Sequence, residues 1–116
     1  MSGCVLHVQG RGFACPQELA ALRASPGGFV VLVSGADGDG FARQVEDAIA
    51  FLEAHAPALA EICSASNFEA AELDFGVWSR FPEQPMQSHV FPATLVALAA
   101  RCGVGLRVSV YLASDA

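Results

Sequence analysis

Residues 71–91 read AELDFGVWSRFPEQPMQSHVF, and the way this stretch divides decides the fold. Ala71 to Arg80 alternates, with Ala71, Leu73, Phe75 and Val77 on one side and Glu72, Asp74, Gly76 and Trp78 on the other. A period of two is the mark of a half-buried strand. A turn at Pro82-Glu-Gln-Pro85 follows. Met86, Ser88 and Val90 then repeat a weaker alternation, which is expected to pair back on 71–80 as a hairpin. With 86–91 as a strand the sheet is antiparallel. With 86–91 as a loop, the alternative is a mostly parallel three-layer α/β sheet.

Upstream, 39–65 reads as one long amphipathic helix. At about 100° per residue, Phe41, Val45, Ala48, Ile49, Leu52, Ala56, Leu59, Ile62 and Cys63 fall in one apolar arc. Arg43, Glu46, Asp47, Glu53 and Glu61 fall opposite. Asp37 or Asp39 is the expected N-cap. Pro57 is expected to kink or split the helix near Ala56, because its ring displaces the hydrogen bond to Glu53. Phe29–Val33 (FVVLV), bounded by Gly28 and Ser34-Gly35, is a continuous apolar run expected to form the central strand, covered on both faces. Cys4–Gln9 suggests a short strand, and the segment from Pro16 to Arg23, closed by Ser25-Pro26-Gly27-Gly28, a short helix.

Downstream, Pro92 opens a helix over PATLVALAARC that Gly103 closes. The last strand places Val104, Leu106, Val108, Val110 and Leu112 inward and Arg107, Ser109 and Tyr111 outward. From Phe29 the order is strand, helix, strand, strand, helix, strand. That predicts a single α+β domain over 1–116: a ferredoxin-like split β-α-β antiparallel sheet with both helices on one face. The first strand and short helix are expected as N-terminal additions.

Composition narrows the function. The chain has 116 residues, 53% of them hydrophobic and 16% charged, with net charge −6 and no Lys among its six cations. Scattered arginines in an acidic chain lack the basic stripe that nucleic acid requires. An opening of MSGCVLHVQGRGF shows no secretory pattern, and no apolar run is long enough to span a membrane. Four cysteines without CxxC or Cys/His spacing suggest reduced thiols in a cytoplasmic protein.

No motif fixes a chemistry. Placing Asp37 and Asp39 at positions 3 and 5 of an EF-hand loop puts Gly40 and Glu46 correctly. Position 1 is then Gly35, however, and a strand precedes where the motif needs a helix, so a polar turn capping a helix is the better reading. No catalytic residue, metal or cofactor is therefore assigned. Cys15, at the expected helix N-terminus, is the one thiol whose pKa the backbone could lower. His55 falls on the packed face of the long helix, as a core histidine bonded to a carbonyl. His7 and His89 have no partner at ligand spacing.

Residues 91–114, FPATLVALAARCGVGLRVSVYLAS, resemble small bacterial proteins of uncharacterised function in which an Ala/Leu-rich helix runs into a last strand ending in Tyr. The residues that carry the likeness are Leu95, Leu98, Ala99, Gly103, Leu106, Val108, Val110 and Tyr111. The resemblance implies a bacterial domain and no catalytic residues; the opening, CPQELAALRASPGG, departs from that pattern.

Trp78, Arg107 and Tyr111, with Arg80, are expected on the sheet face away from the helices, where aromatic and Arg side chains make a binding surface. The function expected is thus a non-enzymatic interaction or regulatory module, meeting a protein partner or a second copy through that face. The alternative is a small enzyme or ligand-binding domain with a pocket between sheet and helices, using Cys15 or His55.

Overall fold

In the computed structural model, which describes residues 3–13 and 15–112, the chain builds a five-stranded mixed sheet and two helices. The strands are β1 (Gly3–Gly10), β2 (Arg23–Ser25), β3 (Gly28–Ser34), β4 (Phe68–Ser79) and β5 (Gly105–Leu112). The helices are α1 (Phe41–Cys63) and α2 (Ala93–Cys102). Across the sheet the order is β2-β3-β1-β4-β5.

Two expectations are corrected here. β1 is the middle strand, not an N-terminal addition: Leu6 stands opposite Val31 of β3 on one side and Leu73 of β4 on the other. Cys4 and Leu6 are accordingly fully buried. β3 is covered on one face only. Phe29 and Val31 point to the helices, while Val30 and Leu32 face outward and Leu32 is 48% exposed.

The hairpin is replaced by a crossover. β5 runs parallel to β4, with Leu73 opposite Leu106 and Trp78 opposite Tyr111. Residues 86–91 form no strand. They descend over the helix side of the sheet in the opposite phase to the expected one. His89 stacks on Phe41 at 4.9 Å and Phe91 on Phe75 at 5.0 Å, while Met86 and Val90 are exposed. Burying aromatic rings against Phe41 and Phe75 outweighs pairing a weak alternation along an edge. The sheet is mixed and its strand order is not the ferredoxin-like one. A split β-α-β unit does occur: β3 and β4 are both antiparallel to β1, which lies between them.

The helix expected from Pro16 is a single 3-10 turn, Gln17–Leu19, followed by β2. Leu19 is buried but Leu22 is 58% exposed, too little apolar surface to hold a longer helix. Gly40 is the N-cap of α1 and no side chain caps the helix, so neither Asp37 nor Asp39 serves as one. Instead the Asp37 carboxylate accepts from the Gly38 N–H, 2.9 Å away. α1 continues through Pro57 and is not split there. Pro57 and Glu53 are both exposed, and water can take the carbonyl that Pro57 frees.

Both helices cover the same sheet face. Leu52, Leu59 and Leu95 meet Leu6, Leu73 and Phe75 in one core. α2 closes at Gly103, φ 77°, as the sequence predicts; a glycine takes that left-handed position without strain.

The β3–α1 connection is held by Gln44, which is fully buried. Its Nε2 donates to the carbonyls of Ala36 (3.2 Å), Asp37 (3.1 Å) and Gly76 (2.9 Å). Gly38 lies directly under the Trp78 ring, where a side chain would collide with the indole.

Candidate functional site

Among the described residues nothing covers the sheet face away from the helices, and the registers fix what stands on it. Odd positions of β1 (Val5, His7, Gln9) lie beside Glu72 and Asp74 of β4, which lie beside Arg107 and Ser109 of β5. Val30 and Leu32 of β3 continue the row on the other side of β1.

Three polar contacts tie these strands together. Ser109 Oγ donates to Asp74 Oδ1 at 2.6 Å, and Arg107 reaches Glu72 Oε1 at 2.9 Å. His7 Nε2 lies 3.9 Å from the other Asp74 oxygen. Asp74 is the hinge of this set, touching β1 and β5 at once. The order of the groups matters chemically. A nucleophilic serine gives its proton to an imidazole that a carboxylate orients. Here Ser109 bonds the carboxylate directly and the imidazole sits on the far side, so nothing activates the hydroxyl. The network orders the face and performs no evident proton relay.

At the upper end Trp78 and Tyr111 occupy facing positions on β4 and β5, with Tyr111 38% exposed. Arg107 stands four residues back on the same side as Tyr111, with Ser109 between them on that face. The three residues singled out in the sequence therefore share one face. Arg80 lies just past the end of β4, exposed, with its backbone N–H held by Gln87 Oε1. It lines a shallow hollow of about 390 Å³ with Trp78, Asp39, Glu83 and Gln84. A second hollow, about 300 Å³, lies at the β1–β3–β2 end and includes His7, Gln9, Arg23 and Val30.

Cys15 and His55 are engaged elsewhere, with different partners. The Cys15 thiol donates to the Pro16 carbonyl at 3.4 Å, and burial raises its pKa despite an opposing backbone hydrogen bond. That direction is the reverse of what an activated thiolate needs. His55 bonds the Glu18 carboxylate at 2.8 Å, not a carbonyl, and stacks on Phe51. Burial likewise raises the Cys63 and Cys102 thiols. Among the described residues no three His, Cys, Asp or Glu side chains are grouped to hold a metal, and no helix is long and apolar enough to cross a membrane.

Sequence reasoning placed Ser109 outward on the last strand but missed His7 as a member of the face. Alternation in CVLHVQ does put His7 on the side of Val5 and Gln9, but only the placement of β1 beside β4 brings it to Asp74. No protein-family model matches the chain, and neither a curated protein nor a solved structure matches it.

Proposed function

We propose that this chain is a protein-interaction module that acts through the open sheet face around Trp78, Arg107 and Tyr111, with Arg80 at its rim. The observation that carries this reading is the side-by-side placement of Trp78 and Tyr111 on β4 and β5, next to the Arg107–Glu72 pair. Aromatic and Arg side chains on an uncovered surface supply most of the binding energy at protein interfaces. Half-exposed Leu32 and Val30 extend the face with apolar area, and the His7–Asp74–Ser109 set supplies groups for polar contacts. Shallow hollows and, among the described residues, the lack of an activated nucleophile favour a binding surface over a small-molecule pocket.

A photo-reactive side chain in place of Tyr111, compared with one in place of Glu53 on the helix side, tests the reading in cell extract. Cross-links to protein from position 111, well above those from position 53, are expected. Equal yields from the two positions would refute it.

A further inference from the structure

We propose that β5 is a pairing edge for a second copy of this chain, in an antiparallel two-fold register centred on Ser109. The proposal rests on the open-face reading for Arg107 and Tyr111, and adds to it the free backbone edge of the strand.

The two edges of the sheet differ. β2 is three residues long and ends at Pro26, as edges built to refuse pairing do. β5 is eight residues long and pairs with β4 along its length without a register shift. It contains no proline, lysine or carboxylate. Its one charge, Arg107, is paired with Glu72 of the same sheet, and among the described residues its outer backbone groups face no strand.

Its side chains are self-complementary. A two-fold axis normal to the sheet at Ser109 sets Arg107 opposite Tyr111 of the second copy, a cation–π pair on the open face. On the helix side Val108 meets Val110 and Leu106 meets Leu112 of the second copy. Val110 and Leu112 are 59% and 61% exposed in the single chain, so pairing covers side chains that the fold leaves bare. A slip of one residue puts the two helix layers on opposite faces, and a slip of two separates Arg107 from Tyr111.

A strand of this length spans about 27 Å. Multiplied by the shortest dimension of the molecule, 21 Å, it presents a wall of about 570 Å² in projection, the size of a small, micromolar-range interface below the ~800 Å² per partner of a standard one. Between Glu83 and Asp115 the chain has no acidic residue, only Arg101 and Arg107, so β5 itself carries no carboxylate; the nearest, Glu72 and Asp74, stand one strand inward. Glu72, at 2.9 Å, neutralises Arg107 from within the same copy.

Light scattering across the micromolar range tests the pairing. The expected mass rises toward twice the 12.1 kDa of one chain. Val110→Lys, at an exposed position, should abolish the rise while keeping the circular dichroism of the wild type; Trp78→Ala, one strand inward, should keep it. Ser109→Cys should form a covalent dimer on oxidation, because directly opposed antiparallel residues lie within disulfide reach. Glu53→Cys should not. A wild-type mass that stays at one chain at every concentration overturns the proposal. So does a Val110→Lys dimer or a Ser109→Cys variant that cross-links no better than Glu53→Cys. A monomer that still cross-links foreign protein from position 111 removes the edge pairing and leaves the proposed function standing. A dimer without such cross-links does the reverse.

Discussion

Replacing Gln44 by Leu tests how the β3–α1 connection is held. Gln44 is fully buried, and its two amide hydrogens serve the carbonyls of Ala36, Asp37 and Gly76. Asp37 keeps a second donor, the Gly40 N–H at 2.8 Å, so the loss falls on Ala36 and Gly76. A buried acceptor stripped of its donor costs about 1–3 kcal/mol. Opposing this, Leu removes the Gln44 Oε1, which has no hydrogen-bond partner, and buries further carbon, worth up to ~1.5 kcal/mol. The net expectation is a loss of about 1–2 kcal/mol out of a total of roughly 5–15. In a domain of this size that lowers Tm by about 3–6 °C per kcal/mol. Gln44→Glu should cost more at neutral pH, about 3–5 kcal/mol, because a buried carboxylate would face three carbonyls. It should recover partly in acid, where the protonated acid can donate. Urea unfolding followed by Trp78 fluorescence reads both variants. A Gln44→Leu protein as stable as the wild type, or a Gln44→Glu protein milder than Gln44→Leu at neutral pH, would refute the reasoning.

Three further outcomes follow from the same packing. Phe91→Ala should cost about 2–4 kcal/mol by unpacking the Phe41–Phe75 cluster, whereas Val90→Ala, 78% exposed, should cost almost nothing; urea midpoints in the opposite order would restore the hairpin. Gly28→Ala should destabilise by about 2 kcal/mol or more, since φ is 148° there and a Cβ would collide with the Val8 carbonyl; a neutral effect in thermal melts would contradict this. Burial, with Asp74 and Asp47 nearby, pushes the Cys4 thiol far above its ordinary 9.0. The unfolded thiol ionises first, so this contribution to stability is full below pH 9.0 and is lost as pH rises, by up to ~1.4 kcal/mol per pH unit. Cys4→Ala should flatten that alkaline slope in urea titrations, and an unchanged slope would count against it.

What could be read from the residues alone was local. α1, α2, β4 and β5 announce themselves because each buries one face, and a face has a period. Strand order has none: CVLHVQ alternates identically at an edge or in the centre, and only its pairing with both Val31 and Leu73 makes β1 the middle strand. Residues 86–91 carry two competing phases, Met86/Val90 and His89/Phe91. The second prevails because Phe41 and Phe75, distant in sequence, offer rings to stack on. The site divides the same way. Alternation alone puts Trp78, Arg107 and Tyr111 on one face, whereas the His7–Asp74–Ser109 set needs three strands brought together from 7, 74 and 109.

Residue-resolved amide hydrogen exchange, run at low and high protein concentration, tests the use of β5 as an association edge most directly. The expected result is that β1 amides are strongly protected at both concentrations, being paired on both sides, while the outward-facing amides of Leu106–Leu112 become protected only at the higher one. Outward β5 amides that exchange rapidly at every concentration, beside a protected β1, would contradict it.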